Sequence, residues 1–291
     1  MRAPQSGQPI VPCIADDGFR SRVDTFAELL RTRAHLLTND LSEADVYDTG
    51  LFNAAVERIR GQRSATMSGK REFMTRVLNF LQDRGHIASW VSSGAANRHD
   101  YTIGMPSGRT SVIEIKGCLD GNNTNIFTRP PHANEFVIWS LCQNAGADPR
   151  LNVRSGIHTR LSAEIMDRGQ RVDGLVVWDF VCGTIGRPCP KVAIQGLPTT
   201  EVGPWALPPP CLYLFPPTIP AARNNPTPQP NQLGQVEIMA ALANAFGTPA
   251  DDVNHVYFEV GVTGVETTRR TRIVRGGATV ADLGPTPIRR E

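Results

Sequence analysis

"HDYTIGMPSGRTSVIEIKG" occupies residues 99–117, and its reading decides the fold. Two strand-like runs, 99–104 and 111–117, flank "MPSGRT", where Pro106-Ser107-Gly108 is turn chemistry. A three-residue connection centred on Ser107 folds the runs into an antiparallel hairpin and sets Asp100 opposite Glu114. Opposed residues in such a pair have Cβ atoms about 4.5–5.5 Å apart. Two carboxylates that close repel, and a bound divalent cation reverses the sign of that interaction. Side chains repeat every two residues, so Lys116 shares the Glu114 face while Ile113 and Ile115 point the other way, into a core. A slip of one residue would put Tyr101 against Glu114 instead. The competing reading is a half-exposed strand whose Glu and Lys simply face water.

Outward from the hairpin, the chain alternates helical and strand patterns. Residues 1–20 read as a loose arm. Helical spacing runs from Ser21 (Val23, Phe26, Ala27, Leu30), again over 50–61, and over 68–84, where Phe73, Met74, Val77, Leu78 and Leu81 form one stripe closed by Gly85. "HIASWVSS" reads as a strand. "HANEFVIWSLCQN" is ambiguous between helix and strand, residues 155–169 read as a helix, and "VDGLVVWDF" as a buried strand. Ten of the 23 prolines fall in 201–230, yet that stretch also holds Trp205, Leu212, Tyr213, Leu214 and Phe215, so it reads as an ordered arm over the core, not a linker. A helix at 231–246 and a strand pair ("HVYFEVGVTG", "ETTRRTRIVRGG") follow, and the tail from Gly276 reads as loose. This gives three regions: an N-terminal arm and helical region (1–67), an α/β core (68–200), and a Pro-rich arm with a C-terminal helix and strand region packed on it (201–291).

Bulk properties narrow the function classes. A net charge of +2 rules out a general polycation, so nucleic-acid binding would need a local basic patch. The chain has three lysines, and Lys116 is one of them, in a sequence that otherwise uses arginine. The six cysteines are scattered, no basic-then-apolar leader opens the chain, and no apolar run reaches about 18 residues. A cytoplasmic protein without a membrane span is expected. Cys182 and Cys189 invite a zinc reading with Cys211 or a histidine, but they lack paired zinc spacing, and buried free thiols are the plainer reading. No Gly-rich phosphate loop and no nucleophile elbow is present.

Over residues 68–181 the order of helix, strand, Asp, turn, strand with Glu-x-Lys, helix and strand resembles the PD-(D/E)XK nuclease superfamily, and in particular a type II restriction endonuclease. "HD" at 99–100 stands for the family's "PD", with His99 replacing proline, and "EIK" at 114–116 stands for "(D/E)XK". The flanking 1–67 and 182–291 carry no such match. The resemblance implies a restriction-endonuclease-like core with a central mixed sheet flanked by helices, acting as a Mg²⁺-dependent endonuclease on double-stranded DNA, with Mn²⁺ as a substitute ion. It implies metal ligation by Asp100, Glu114 and the Ile115 carbonyl. Lys116 would orient or deprotonate the attacking water, or stabilise charge on the pentacoordinate phosphorus. Glu72, in "KREFM" near a helix start, is a further catalytic candidate; a favourable first-turn acid is the plainer reading.

DNA contacts are expected from Asn122, Asn123, Asn125 and Arg129 in the loop after Lys116, and from Arg154, Arg160 and Arg168 around helix 155–169. "RRTR" at 269–272 is a third basic patch. Each of these is equally a solvated surface. His99 reads as a structural histidine. Cutting both strands with one site per chain points to a homodimer. The rival functions are a structure-specific nuclease of repair, recombination or phage defence, and a non-catalytic nucleic-acid-binding or interaction module.

Overall fold

The computed structural model describes residues 17–33, 42, 51, 55, 67–93, 99–116, 129–142, 156–179, 198–203 and 205–288. Around the hairpin the pairing register is the expected one. Strand β2 (Tyr101–Gly104) pairs antiparallel with β3 (Thr110–Lys116), with Tyr101 opposite Ile113 and Gly104 opposite Thr110. Gly108, at φ +85°, closes the turn: its N–H donates to the Met105 carbonyl, and Met105 N–H donates to the Arg109 carbonyl. That left-handed position is the one a three-residue hairpin loop reserves for glycine.

Strand β1 (Ser89–Ser92) adds to the outer side of β2, antiparallel. On the other side, β4 (Glu135–Cys142) and β5 (Gly174–Asp179) continue from β3 as parallel neighbours. The segment 135–142 is therefore a strand. Its side chains are buried on both faces, which removes the alternation that would have distinguished it from a helix. Among the described residues one mixed sheet of nine strands runs in the order β1-β2-β3-β4-β5-β8-β9-β10-β11. The last four are β8 (Cys211–Leu214), β9 (Asn254–Thr263), β10 (Glu266–Arg275) and β11 (Ala278–Pro287), while β6 (Thr200–Val202) and β7 (Trp205–Leu207) form a separate hairpin. The C-terminal region is thus part of the central sheet, where an accessory region packed on a finished core was expected. Within the Pro-rich stretch, β8 joins β5, and Phe215 N–H donates to the Asp173 carbonyl.

Two cores lie on the two sides of this sheet. One holds Ile113, Val137, Trp139, Val176, Trp178 and Leu212 from the strands. It is covered by α2 (Met67–Asp83), through the stripe Phe73, Met74, Val77, Leu78 and Leu81, and by α4 (Glu237–Phe246). Phe73, Trp139 and Phe246 each meet Trp178 edge-on, with ring centroids 4.8–5.7 Å away. The other core holds Val112, Phe136, Ile138, Leu175, Val177, Tyr213 and Phe258. It is covered by a π-helical turn (Ile157–Leu161) that runs into α3 (Ser162–Met166). Consecutive residues of β4 and β5 fall alternately into the two cores, as a strand buried on both sides requires. An amphipathic helix, α1 (Asp17–Thr32), buries Val23, Phe26 and Ala27. Of the helix expected at 50–61, Leu51 and Ala55 are helical and buried, and the rest lies outside the described residues.

Gly174 shows how closely these layers approach. A Cβ there would meet the Met239 sulfur and lie 2.8 Å from the Tyr213 carbonyl oxygen. The β8 backbone cannot retreat without breaking its pairing with β5. Gly174→Ala should therefore destabilise the fold by about 1–3 kcal/mol, the range for overpacked cores. Urea denaturation midpoints check this, and an unchanged midpoint would refute it.

Residues 276–288, expected to be a loose tail, form an ordered turn and strand. Gly276 and Gly277 take φ values of +54° and +77°, a two-residue turn of the kind that suits hairpins, and β11 returns along β10. The β10–β11 register shifts between Arg269 and Thr271 and again between Ile273 and Val274, and β11 carries Pro285 and Pro287. Prolines and bulges are tolerated there because β11 is the edge of the sheet.

The π-helical turn is tied to that edge. His158 Nε2 lies 3.2 Å from Thr286 Oγ1, and Arg269 bonds Asp167 at 2.7 Å and the Thr159 carbonyl at 3.4 Å. Burial, and then the Arg269 charge, hold the His158 pKa below its ordinary value; burial does the same for His255. Both histidines are therefore harder to protonate in the folded chain than in the unfolded one. The unfolded chain takes up more protons below about pH 6.5, so their contribution is intact above that value and is lost as the pH falls through it. Stability should drop between pH 7.5 and 5.5, a window above ordinary carboxylate titration. The drop should shrink in His158→Gln, and denaturation midpoints identical at the two pH values would refute it.

Candidate active site

Glu114 and Lys116 lie on the side of β3 that carries Val112, and Val112 belongs to the second core. Glu114 is 2 % exposed. The reading of a solvated Glu/Lys face is therefore wrong for Glu114: its carboxylate is buried and ion-paired with the Lys116 ammonium. On the opposite side, Ile113 is fully buried in the first core and Ile115 packs against it. A carboxylate taken out of water costs several kcal/mol unless paired and bonded, so burial at this position requires a compensating charge.

Asp100 comes in from the neighbouring strand. The β2–β3 ladder ends at the Tyr101–Ile113 pair, one residue short of the Asp100–Glu114 pair expected from the hairpin. Asp100 instead gives its N–H to the Ile113 carbonyl at 3.0 Å and receives the Ser93 N–H on its own carbonyl at 2.8 Å. Its side chain then takes over the edge that β2 has left: Oδ2 accepts the Ile115 N–H at 2.7 Å. The second carboxylate is thus held against the backbone between Glu114 and Lys116. In an extended strand the N–H and C=O of one residue point to the same side, so the Ile115 carbonyl also points to the Asp100 side. Among the described residues no cation lies within ion-pair distance of Asp100, and none bonds its Oδ1.

The surroundings are polar. His99 is buried, and its Nε2 lies 2.7 Å from Thr102 Oγ1; its ring faces that of His132 at 5.9 Å. Thr102 pairs with Val112, so this histidine sits on the Glu114 side of the sheet. Its pKa is held down by burial first, then by His132, against an upward pull from Asp100. The Tyr101 phenol is pushed up by burial and by Asp100, and pulled down by Arg71 at the start of α2. Arg71 is therefore a cation within electrostatic reach of the Tyr101 phenol, which lies in the first core.

Other expected residues take different places. Glu72 is exposed on α2 and bonds Arg76 one turn on, at 3.0 Å. Arg129 is ion-paired with Asp173, whose Oδ2 also accepts the Phe136 N–H at 2.8 Å, so it anchors the chain to the start of β4. Arg168 pairs with Glu164 at 3.0 Å. The "RRTR" patch is neutralised where it stands: Arg269 by Asp167, Arg270 by Asp282 and Glu259, and Arg272 by Glu259. Asn122, Asn123, Asn125 and Arg154 lie outside the described residues, as do Cys182 and Cys189; Arg160 is in the π-helical turn, with its side chain outside them. Cys211, the further candidate in the zinc reading, is exposed at the start of β8.

The donors fit a hard divalent cation. Among the described residues no cluster of three or more His, Cys, Asp or Glu side chains is assembled to hold a metal. Two carboxylates and one carbonyl, all oxygen, match Mg²⁺, which keeps several of its waters and uses one or two protein carboxylates. The carboxyl end of β3 is also where ligands of open α/β sheets gather. No helix among the described residues is long and apolar enough to cross a membrane. No protein-family model, curated protein or solved structure matches the chain.

Proposed function

We propose that this chain is a Mg²⁺-dependent endonuclease with a restriction-endonuclease-like core that hydrolyses phosphodiester bonds of double-stranded DNA. One observation carries the reading: a buried Glu114 paired with Lys116, with the Asp100 carboxylate bound to the intervening Ile115 N–H. The order of elements supports it, since α2 is followed by the antiparallel β1-β2-β3 and then by parallel strands with the turn-and-helix 157–166 between β4 and β5.

Asp100, Glu114 and the Ile115 carbonyl would hold the ion. Bound there, Mg²⁺ would neutralise phosphoryl oxygens and acidify a water. Lys116, as the ion-pair partner of Glu114, presents N–H donors, which suits it to stabilising charge on the pentacoordinate phosphorus more than to taking a proton. Two copies related by a two-fold axis would cut the two strands of a duplex.

The test is incubation of the purified chain with plasmid and branched DNA in Mg²⁺, with the cut ends sequenced. Discrete fragments with a shared end sequence support restriction-type cleavage. Cuts confined to junctions or flaps support the structure-specific alternative. No Mg²⁺-dependent cleavage of any DNA overturns the proposal and leaves a binding module.

A further inference from the structure

Glu114 has two suitors. Its carboxylate is a donor the cation needs, and it is also what the Lys116 ammonium pairs with. A divalent ion and an ammonium sharing one buried carboxylate repel each other strongly in a medium that screens poorly. We propose that Lys116 is a built-in stand-in for the metal: it neutralises Glu114 until an ion binds, and ion binding drives it off. The inference rests on the nuclease reading of this site and adds a regulation to it.

The structure shows the lysine on Glu114, at a place in the strand from which it can leave. Glu114 is nearly inaccessible, so it needs a counter-charge whenever the ion is absent. Lys116 is the last residue of β3, its side chain is 16 % exposed, and its stem has several rotatable bonds, so its ammonium can swing outward without breaking the sheet. The consequence is ordered assembly. The ammonium would leave Glu114 for a phosphate only as the ion arrives on that carboxylate.

Calorimetric titration of Mn²⁺ into wild type, Lys116→Met and Glu114→Gln tests this without reference to cleavage. Lys116→Met should bind Mn²⁺ about tenfold more tightly than wild type, equivalent to ~1.4 kcal/mol. Glu114→Gln should bind it much more weakly. Equal or weaker binding by Lys116→Met, with wild type still binding, overturns the stand-in and leaves the metal site. Absence of binding by all three overturns the site itself.

A measurement on wild type covers the case in which Lys116→Met does not fold. The chain has only three lysines, Lys70, Lys116 and Lys191, so reductive ¹³C-dimethylation yields few resonances, and Lys116→Arg assigns the relevant one. Saturating Mg²⁺ should shift that resonance and leave the other two in place. An unshifted Lys116 signal under Mg²⁺ that calorimetry shows to be bound overturns the proposal.

Discussion

In the proposed nuclease, Asp100→Asn is expected to leave the fold intact and remove Mg²⁺-dependent DNA cleavage. The amide oxygen of asparagine can still accept the Ile115 N–H, so the 2.7 Å bond that fixes this corner survives. What disappears is the negative charge, and with it the proposed metal ligand. Alanine at the same position would also abandon the N–H, at a cost of about 1–3 kcal/mol, and would confuse loss of stability with loss of chemistry. Lys116→Ala is expected to lower the cleavage rate by about 10²–10³, the range found when a donor aimed at developing charge is deleted. Glu72→Ala should remain close to wild type, since that carboxylate is exposed and engaged by Arg76. Initial nicking rates of supercoiled plasmid, measured beside a denaturation curve for each variant, decide the matter. Full activity in Asp100→Asn would remove the acid from the mechanism.

Glu135→Ala should cost about 3–5 kcal/mol, a large share of the 5–15 kcal/mol by which domains are usually stable. Glu135 opens β4, is 1 % exposed, and both its oxygens are occupied. Oε1 accepts the Glu237 N–H at 2.7 Å; Oε2 accepts the Ser111 hydroxyl at 2.5 Å and the Ile238 N–H at 3.2 Å. Arg109 lies 3.5 Å from the same carboxylate and also pairs with Glu237. The residue therefore caps the positive end of α4 and joins three elements: the start of β3, the start of β4 and the helix. Glutamine would not restore it. Either orientation of the amide puts an NH₂ against donors, so Glu135→Gln should lose about 1–3 kcal/mol. Urea titration of both variants gives the comparison, and a glutamine variant as stable as wild type would refute the acceptor-only account.

What could be read in advance follows from how local the determining forces are. The β2–β3 hairpin was legible because Pro106-Ser107-Gly108 fixes a turn length and the turn length fixes a register. The α2 stripe was legible because Phe73 to Leu81 repeat at helical spacing and are all buried. Strand β4 was not, since a segment buried on both faces has no period. Strand β11 was missed because its prolines argue against a strand unless it is known to be at an edge, and edge position is a property of the whole sheet. Glu135 gave no signal at all: its partner Glu237 is 102 residues away. At the candidate site, the pairing of Glu114 with Lys116 follows from their spacing of two. The hold of Asp100 on Ile115 does not, because nothing in the letters says that the ladder stops at Tyr101.

The irregular border at β11 has a further effect on how this chain behaves in a crowd. A long rim of unpaired amides would invite other molecules to zip on, strand by strand, into fibrous aggregates. Here two offsets in the pairing twist that rim, and Pro285 and Pro287 lack the hydrogens an incoming strand would seek. The far rim, β1, offers only four residues. Among the described residues, both margins of the nine-stranded sheet are thereby poor templates for an added strand.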